Sequence, residues 1–548
     1  MTAASPHEDR AAAGRRRAAM ALLAVTLLAV AAVRVRLAPL PLERDEGEYA
    51  YAGQLALQGV PPFVELYNMK MPGIYWAYAA VMAVFGQTPA GIRVGLLALN
   101  AATVLLAYRL GRRVFDPLAS AVAACTYAWL ALGAGVMGPV AHAEHFVVFF
   151  VLLGLLCLPS PGGASAWRAL LAGLFLGAAF TMKQHAAPFM VYGGVCMVAI
   201  LLRERAVPVG KKCVHAGLFA LGAIAPFIAI CAIMWNAGVF ATFWFWTFTY
   251  ARSYISQVPV RDAAQAFVDG TLRAAEHTWL CWLVAVLGVA GLWRYRQRAL
   301  LVGGLAAAGL VAISPGFYFR EHYFILLLPA VAAFATMGAQ VLAGLPGCRT
   351  RQAVVLLLVA ALFWGQLWQR QWWFFTSGDL FGVSRSMYRA QPFPESLEVA
   401  RYIREHSGPN DRVAVLGSEP QILFYAQRRS ATPFVYMYPL MEVHPAAKDM
   451  QREMIAGIER AMPKFVVVVS VKVSWLVRKA SATDLFDWYP GFLDAHYRHV
   501  GMFDLGPTVS EFYWDAEMSG HAHSSEDTID VFVRNDAAHP PVAPESGP

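Results

Sequence analysis

Charged residues are scarce in this chain of 548 residues: they make up 15% of it, against roughly a quarter in a typical soluble domain. Hydrophobic residues account for 58%. This composition cannot cover the surface of a soluble protein of such length, so a soluble enzyme and a disordered chain are both excluded. All seven cysteines precede residue 378, so no disulfide framework is expected in the polar C-terminal part.

The basic charge belongs to the hydrophobic part of the chain. Residues 1–368 hold 27 Lys and Arg against 14 Asp and Glu, a net of +13, whereas residues 369–548 hold 17 against 22, a net of −5. An excess of Lys and Arg is typical of the inner loops of a membrane protein. We therefore expect membrane lipids as partners and no nucleic acid.

Apolar runs of bilayer-spanning length recur along the first two-thirds of the chain. We predict about eleven transmembrane helices: 18–37, 91–108, 117–134, 141–158, 167–183, 187–202, 213–234, 279–293, 299–314, 323–342 and 352–368. The first run is followed by Arg34 and Arg36 and is interpreted as an uncleaved anchor. The apolar stretch Pro72–Gly86 would invert the later loops if it crossed the membrane, so we interpret it as a helix lying at the membrane surface.

The basic loops predict an orientation, with the N-terminus inside and the C-terminal part outside, in the periplasm or its equivalent. The predicted domains are a membrane domain over 1–368 with a catalytic outer loop at 38–90, an extracytoplasmic α/β domain over 369–538, and a disordered tail over 539–548. Within the second domain, two helical stretches (ESLEVARYIREH and MQREMIAGIERAM) each precede an apolar strand (RVAVLG and KFVVVVS). This alternation favours buried parallel strands.

Acidic residues are concentrated directly after the first span. The cluster comprises Glu43, Asp45, Glu46 and Glu48, with Glu65 further along the same loop. Like charges so close together raise one another's pKa, so one of these carboxylates is a candidate general base. A solvated loop that only caps a helix is the alternative. Three cations lie on the predicted outer side, where Lys is unusual, and could hold an anionic lipid headgroup or a diphosphate: Lys70, Lys183 and Arg320. Snorkelling of these side chains onto ordinary phospholipid is the alternative.

An ordered set of motifs identifies a family resemblance. The motifs are RDEGEYAYAGQLALQGVPPF, ELYNMKMPGIYW and RRVFDP within residues 44–117, HAEHF at 142–146, MKQHAAP at 182–188 and FREHYFILLLPA at 319–330. The chain resembles the GT-C membrane glycosyltransferases that use polyprenyl-phosphate sugars, and among them the protein O-mannosyltransferases and the lipid A aminoarabinose transferases. The resemblance implies a GT-C fold of about eleven transmembrane helices with a small C-terminal α/β domain.

The resemblance also implies roles for individual residues. Asp45, with its neighbour Glu46, matches the base that takes the proton of the acceptor hydroxyl. Lys70, Lys183 and Arg320 match positions that hold the donor phosphate, although Met71 stands where relatives commonly have a second proline. The residues assigned to substrate binding are Tyr49, Glu65, Glu144, Gln184, His322 and Tyr323.

The implied activity is an inverting transfer of a sugar from a polyprenyl-phosphate carrier to an acceptor on a lipid, a glycan or a protein. No cofactor is expected to be required. A divalent metal is the alternative use of His142, Glu144, His145, His185 and His322, although their spacing is not that of a zinc-protease helix. A transporter or flippase for a lipid-linked or acidic substrate and a non-enzymatic assembly subunit are the alternative functions.

Overall fold

The computed structural model describes residues 6–159, 165–255, 257–294, 299–344, 349–389, 391–506 and 508–535. The chain forms two compact units, each built from two segments. The membrane unit comprises Met1–Pro39 and Met69–Gly378, and the second unit comprises Leu40–Asn68 and Asp379–Pro548. The predicted disordered tail, 539–548, lies outside the described residues.

The membrane unit is helical throughout its described part. Its helices are α1 (Pro6–Leu37), α3 (Pro72–Phe85), α4 (Pro89–Gly111), α5 (Pro117–Leu130), α6 (Ala143–Cys157), α7 (Ala166–Met182), α8 (Ala187–Arg203), α9 (Val209–Asn236), α10 (Phe240–Trp244), α11 (Ala251–Ile255), α12 (Ala263–Ala275), α13 (Trp279–Val289), α14 (Gly291–Arg294), α15 (Gly304–Ile313), α16 (Leu328–Leu342) and α17 (Arg349–Thr376). Each of the eleven predicted spans overlaps helical structure, and so does the predicted surface helix.

Five of these helices are long and apolar enough to cross a membrane: Ala13–Leu37, Pro89–Gly111, Gln184–Arg203, Val209–Asn236 and Arg351–Thr376. A sixth span is formed if Val260–Ala275 and Trp279–Trp293, which meet at a bend of 118°, are counted together. Six further apolar helices are shorter, including α3. The protein is therefore an integral membrane protein, and the number of eleven spans stays a prediction.

Two helix starts follow directly from local sequence. Thr88 accepts a hydrogen bond from the backbone N–H of Gly91 at 3.0 Å, and α4 then begins at Pro89. Asp116 of the RRVFDP motif accepts from the N–H groups of Leu118 and Ala119, and α5 begins at Pro117. A short polar cap followed by proline is the usual signal for a helix N-terminus.

Helices α7 and α9 pack closely because their facing residues are glycines. A methyl group at Gly173 would lie 2.1 Å from the carbonyl oxygen of Phe219, and one at Gly222 would lie 2.3 Å from that of Leu170. Only glycine allows the two backbones to approach so closely, as in many pairs of membrane helices. This packing fixes the course of α7, whose C-terminal end carries Lys183.

The second unit contains a six-stranded sheet in the order β2-β1-β3-β6-β4-β5. Its strands are β1 (Arg412–Leu416), β2 (Arg429–Ser430), β3 (Phe465–Ser470), β4 (Tyr497–Asp504), β5 (Glu511–Trp514) and β6 (Thr528–Arg534). Strand β1 pairs in parallel with β2 and β3, whereas β3, β6, β4 and β5 pair antiparallel to one another. The parallel strands predicted at RVAVLG and KFVVVVS are confirmed, and the structure shows that they pair with each other, with Val413 opposite Phe465.

The helices of this unit are α2 (Arg44–Leu57), α18 (Leu380–Tyr388), α19 (Glu395–Glu405), α20 (Pro420–Ala426), α21 (Tyr438–Met441), α22 (Ala447–Ala461), α23 (Lys472–Trp475) and α24 (Asp484–His496). Helices α19 and α22 are the two that the sequence predicts before strands β1 and β3. Both bury an apolar stripe, as amphipathic helices beside a sheet do.

The two compact units divide the chain differently from the predicted domains, which stay a prediction. Residues 40–68, predicted as the outer loop of the membrane domain, are grouped with the C-terminal part. The reason is packing: Gly47 of α2 lies against Gln421 of α20, where a methyl group would be 2.7 Å from the Gln421 Cβ. The membrane unit ends at Gly378, because α17 continues to Thr376.

Candidate functional site

A nearly buried ion pair lies at the centre of the polar residues in the membrane unit. Glu144 stands in the first turn of α6 and is completely buried. Lys183 follows α7 in an extended conformation, and its Nζ lies 2.5 Å from Oε1 of Glu144. Two opposite charges removed from water in this way stabilise each other, but either one alone would be costly.

The FREHYF motif brings aromatic and imidazole groups to the same pair. His322 Nε2 lies 3.8 Å from Glu144 Oε1, and the His322 ring stacks on that of His142 with centroids 4.2 Å apart. The ammonium of Lys183 lies 4.5 Å from the ring centroid of Tyr323. This distance is within the range of a cation–π interaction, so Tyr323 contributes to holding the cation.

The segment that carries Lys70 joins this group through its backbone. The side-chain amide of Gln184 donates to the carbonyl oxygen of Met69 at 2.8 Å. Gly73, at the start of α3, packs so closely on the end of α7 that a methyl group would lie 2.3 Å from the carbonyl oxygen of Thr181. The half-buried Lys70 therefore belongs to a segment fixed beside Gln184.

Arg320 is held by two tyrosines. Its Nη2 donates to the hydroxyl of Tyr254 at 3.0 Å, and its guanidinium lies 5.4 Å from the ring centroid of Tyr318. The two tyrosine rings stack with centroids 4.7 Å apart. Tyr254 was not among the predicted site residues, because an aromatic residue in an aromatic-rich segment gives no separate signal.

Four stretches that are distant in sequence thus meet in one place: Met69–Lys70, 142–145, 182–185 and 320–323. They supply a lysine, imidazoles and an amide around one carboxylate, mostly away from water. Such a set can bind an anionic group that competes with Glu144 for the cation. The same carboxylate and imidazoles are also ligand types that zinc accepts, so the metal alternative rests on these residues.

The predicted base, Asp45, lies in the second unit at the start of α2. Its Oδ1 accepts a hydrogen bond from the hydroxyl of Tyr436 at 2.7 Å. Asp45 is half-buried, whereas its acidic neighbours Glu43, Glu46 and Glu48 are 6%, 0% and 0% exposed. Within residues 43–48, Asp45 is therefore the acid that keeps access to solvent.

The acid cluster also contains one strongly perturbed group. Glu43 caps α2 by accepting from the N–H of Glu46 at 2.8 Å. Burial, followed by the charges of Asp45 and Glu46, raises the pKa of Glu43 to about 8. The predicted effect of like charges on a carboxylate is thus present at Glu43, the capping residue.

The remaining predicted residues of this loop have other surroundings. Glu65 is paired with Arg429, at 3.0 Å, and with Arg412, at 3.5 Å. Glu46 and the ring of Tyr49 are buried in α2. The structure thus gives Glu65 a role in joining the loop to strands β1 and β2, and the substrate contacts of Tyr49 and Glu65 stay predictions.

Comparisons with known proteins agree with the motifs. Residues 69–230 match the family model described as dolichyl-phosphate-mannose-protein mannosyltransferase. An undecaprenyl phosphate-alpha-4-amino-4-deoxy-L-arabinose arabinosyl transferase from Pseudomonas aeruginosa is 30% identical over 273 residues, which are 47% of this chain and 48% of the relative. A second such transferase, from Pseudomonas paraeruginosa, is 31% identical over 40% of each chain. The chain thus matches less than half the length of these curated relatives.

Solved structures show the same fold. ArnT from Cupriavidus metallidurans in the apo state is similar with a TM-score of 0.59 at 14% identity, over 95% of this chain and 100% of that one. The apo oligosaccharyltransferase of Archaeoglobus fulgidus gives 0.51 at 12% identity, over 91% and 74%. The predicted resemblance to the GT-C superfamily is confirmed.

Proposed function

We propose that this protein is an inverting glycosyltransferase that moves a sugar from a polyprenyl-phosphate carrier to an acceptor hydroxyl at the outer face of the bacterial inner membrane. The observation that carries the proposal is the meeting of Lys183, Glu144 and Tyr323, each from a different family motif. The names of the curated relatives and the family model support a lipid-phosphate sugar as donor.

For the membrane unit we propose donor binding. Lys183, Lys70 and Arg320 would bind the phosphate of the carrier and stabilise the negative charge that develops on it as it leaves. Glu144 would hold Lys183 in place until the phosphate takes over part of this interaction. Gln184, His322 and Tyr323 would orient the sugar and exclude water, which would otherwise hydrolyse the donor.

For the start of α2 we propose general-base catalysis. The carboxylate of Asp45 would take the proton of the acceptor hydroxyl while the acceptor oxygen forms its bond to the anomeric carbon. The bond from that carbon to the phosphate oxygen breaks, and its electron pair leaves with the phosphate. A single displacement of this kind inverts the anomeric centre. Glu46 is buried in the same turn of α2 and would support the base without reacting.

The orientation belongs to the same proposal. The basic loops favour an N-terminus inside and a C-terminal part outside, and eleven spans would produce this arrangement. A transferase acting at the outer face would leave carrier and acceptor to be delivered by other proteins. Cysteine labelling at Ser481 and at Lys211 in intact cells, with a membrane-impermeant reagent, would test the two sides.

The experiment that tests the function uses the full-length protein in nanodiscs with undecaprenyl-phosphate sugars of several types. We expect release of undecaprenyl phosphate and formation of a glycoside of opposite anomeric configuration, which nuclear magnetic resonance would detect. Asp45→Asn should lower the rate by at least about 100-fold, the order expected when a general base is lost. Retained transfer in this variant would remove Asp45 from the base role.

Two further outcomes bear on the alternatives. Movement of a labelled lipid-linked sugar across vesicles without any transfer would favour a flippase over a transferase. Stoichiometric zinc in the purified protein, together with loss of transfer after chelation and recovery with zinc, would favour the metal use of the histidines around Glu144.

A further inference from the structure

The carboxylate of Asp45 is held by a residue far along the chain. The hydroxyl of Tyr436 donates to Asp45 Oδ1 at 2.7 Å, although 391 positions separate the two residues in sequence. The Tyr436 side chain is 6% exposed. Both residues belong to the second unit, so this bond lies within one compact body.

The residue before Asp45 is anchored in the same unit. The Nε of Arg44 donates to the carbonyl oxygen of Ser418 at 2.5 Å, and its Nη2 lies 2.8 Å from Glu419 Oε1. Its Nη1 donates to the hydroxyl of Tyr438 at 2.6 Å. A guanidinium bound at three nitrogens to a carboxylate, a carbonyl and a hydroxyl fixes the first turn of α2.

Tyr436 and Arg44 are joined through shared neighbours. Ser418, whose carbonyl accepts from Arg44, also accepts through its Oγ from the N–H of Met437 at 2.9 Å. Tyr438, the hydroxyl partner of Arg44, stands with its ring 5.5 Å from that of Tyr436. The loop that carries the tyrosine and the helix that carries Asp45 therefore share one hydrogen-bond network.

The hydroxyl of Tyr436 is protonated and can therefore donate a hydrogen bond. Burial, together with the charges of Asp45, Glu48 and Glu43, holds the pKa of Tyr436 well above its usual range. The phenol therefore keeps its proton at neutral pH and up to at least about pH 10, the usual pKa of a tyrosine. It can therefore donate to Asp45 throughout that range.

We infer that Tyr436 is a positioning residue for the proposed base: its hydroxyl fixes the rotamer of the Asp45 carboxylate, while the Arg44–Glu419 pair fixes the helix on which Asp45 stands. This inference rests on the proposed function, in which Asp45 accepts the proton of the acceptor. It gives the C-terminal part of the chain a role in catalysis that does not require it to touch the substrate. A base displaced by as little as 1 Å can lose about 100-fold in rate.

The test is Tyr436→Phe in the full-length protein, which removes one hydroxyl and keeps the ring. We expect kcat to fall about 10- to 100-fold with a donor KM within about twofold of wild type, because Tyr436 acts on Asp45 and not on the donor. Glu419→Gln, which weakens the anchor of Arg44, should lower kcat in the same way with a smaller change.

The matched control is Tyr402→Phe. The hydroxyl of Tyr402 donates to Asp515 Oδ2 at 2.8 Å, which is also a tyrosine-to-aspartate bond in the second unit. Both variants should lower the melting temperature by a similar amount, since each loses one hydrogen bond. Only Tyr436→Phe should lower kcat.

The outcomes separate this inference from the proposed function. If Asp45→Asn retains transfer, the base assignment is wrong. If Asp45→Asn abolishes transfer while Tyr436→Phe keeps the wild-type kcat, or loses no more than Tyr402→Phe, the base stands and the positioning role is wrong. A change confined to KM would also contradict the positioning role.

Discussion

At the scale of single residues, the pairing of Lys183 with Glu144 explains how a lysine can stand next to apolar helices. The carboxylate is fully buried and the lysine side chain is 15% exposed, so each charge depends on the other. The motifs predicted both residues as parts of one site. They could not predict that the two side chains contact each other, because 39 positions separate them and no local pattern encodes the pairing.

Variants of this pair should separate stability from activity. Lys183→Met leaves Glu144 buried without its partner, and we expect it to cost about 3–5 kcal/mol of stability as well as most of the transfer activity. The double variant Lys183→Met with Glu144→Leu removes both charges, so thermal unfolding should return close to wild type. Transfer should remain lost, because the cation that we propose to bind the phosphate is still absent.

The comparison needs melting curves and transfer rates for the single and double variants in the same nanodiscs. Arg261→Met serves as a control, since Arg261 is an exposed cation paired only loosely with Asp262, at 3.7 Å. Recovery of transfer in the double variant would contradict the proposed role of Lys183.

At the scale of elements, strand β4 and strand β6 are linked by an imidazole. His523 lies between the two strands' carboxylates, with Nδ1 2.7 Å from Asp504 Oδ1 and Nε2 3.0 Å from Asp530 Oδ1. Both ring nitrogens face carboxylate oxygens, which suits the imidazolium form. Partial burial lowers the pKa of His523, but the hydrogen bonds and charges of the two aspartates outweigh it and raise the pKa above its usual value.

The stability of this link should depend on pH. Because the folded-state pKa of His523 lies above 6.5, its stabilising effect is complete below pH 6.5 and is lost as pH rises through the raised value. We expect amide hydrogen exchange around residues 521–527 to be faster at pH 8.5 than at pH 6, after correction for the intrinsic rates.

His523→Asn should remove this difference, and His521→Asn, two positions earlier, should leave it in place. An equal response of the two variants to pH would show that the aspartate–imidazole link does not control this segment.

Sequence periodicity predicted those elements of the second unit whose apolar residues stand out clearly from their polar neighbours. The helix–strand alternation that gives α19, β1, α22 and β3 was visible because each strand is an unbroken apolar run. Strands β4, β5 and β6 were not predicted, because polar residues break up their apolar runs: Arg498 and His499 in β4, Glu511 in β5, and Asp530 in β6. Their pairing is antiparallel and is set by tertiary contacts that no local pattern records.

At the scale of the whole molecule, the membrane unit and the second unit are each discontinuous in sequence. Residues 40–68 fold with the part of the chain that begins at Asp379. Hydrophobic runs predicted where the membrane helices lie. They did not predict that residues 40–68 fold with the C-terminal part, because this depends on contacts of Arg44, Glu65 and Tyr51 with residues far along the chain. The same long-range order explains why Tyr436 could not be predicted as a neighbour of Asp45.

Removing the C-terminal part should therefore also unfold residues 40–68. A chain ending at Gly378 keeps every predicted span and Asp45, but it lacks Glu419, Arg429 and Ser430, the partners of Arg44, Glu65 and Tyr51. We expect residues 40–68 to become sensitive to protease and transfer to be abolished. Limited proteolysis with mass spectrometry and the nanodisc transfer assay measure the two effects.

The control is the full-length Arg44→Met with Glu419→Leu variant, in which only the central ion pair of this junction is replaced. It should stay resistant to protease, because Arg429 and Ser430 still bind Glu65 and Tyr51, so that only the first turn of α2 loses its anchor. A truncated chain that resists protease in residues 40–68 and retains transfer would contradict the assignment of these residues to the second unit.

Because the second unit is built from two segments, its parts are synthesised at different times. Leu40–Asn68 leave the ribosome long before the strands that complete their fold. An unfinished chain can therefore be inserted in the bilayer while α2 still lacks the C-terminal part on which it packs. Under the proposed mechanism, a nascent or prematurely terminated chain would not consume the lipid-linked sugar. The protein would become active only after strand β6 has folded.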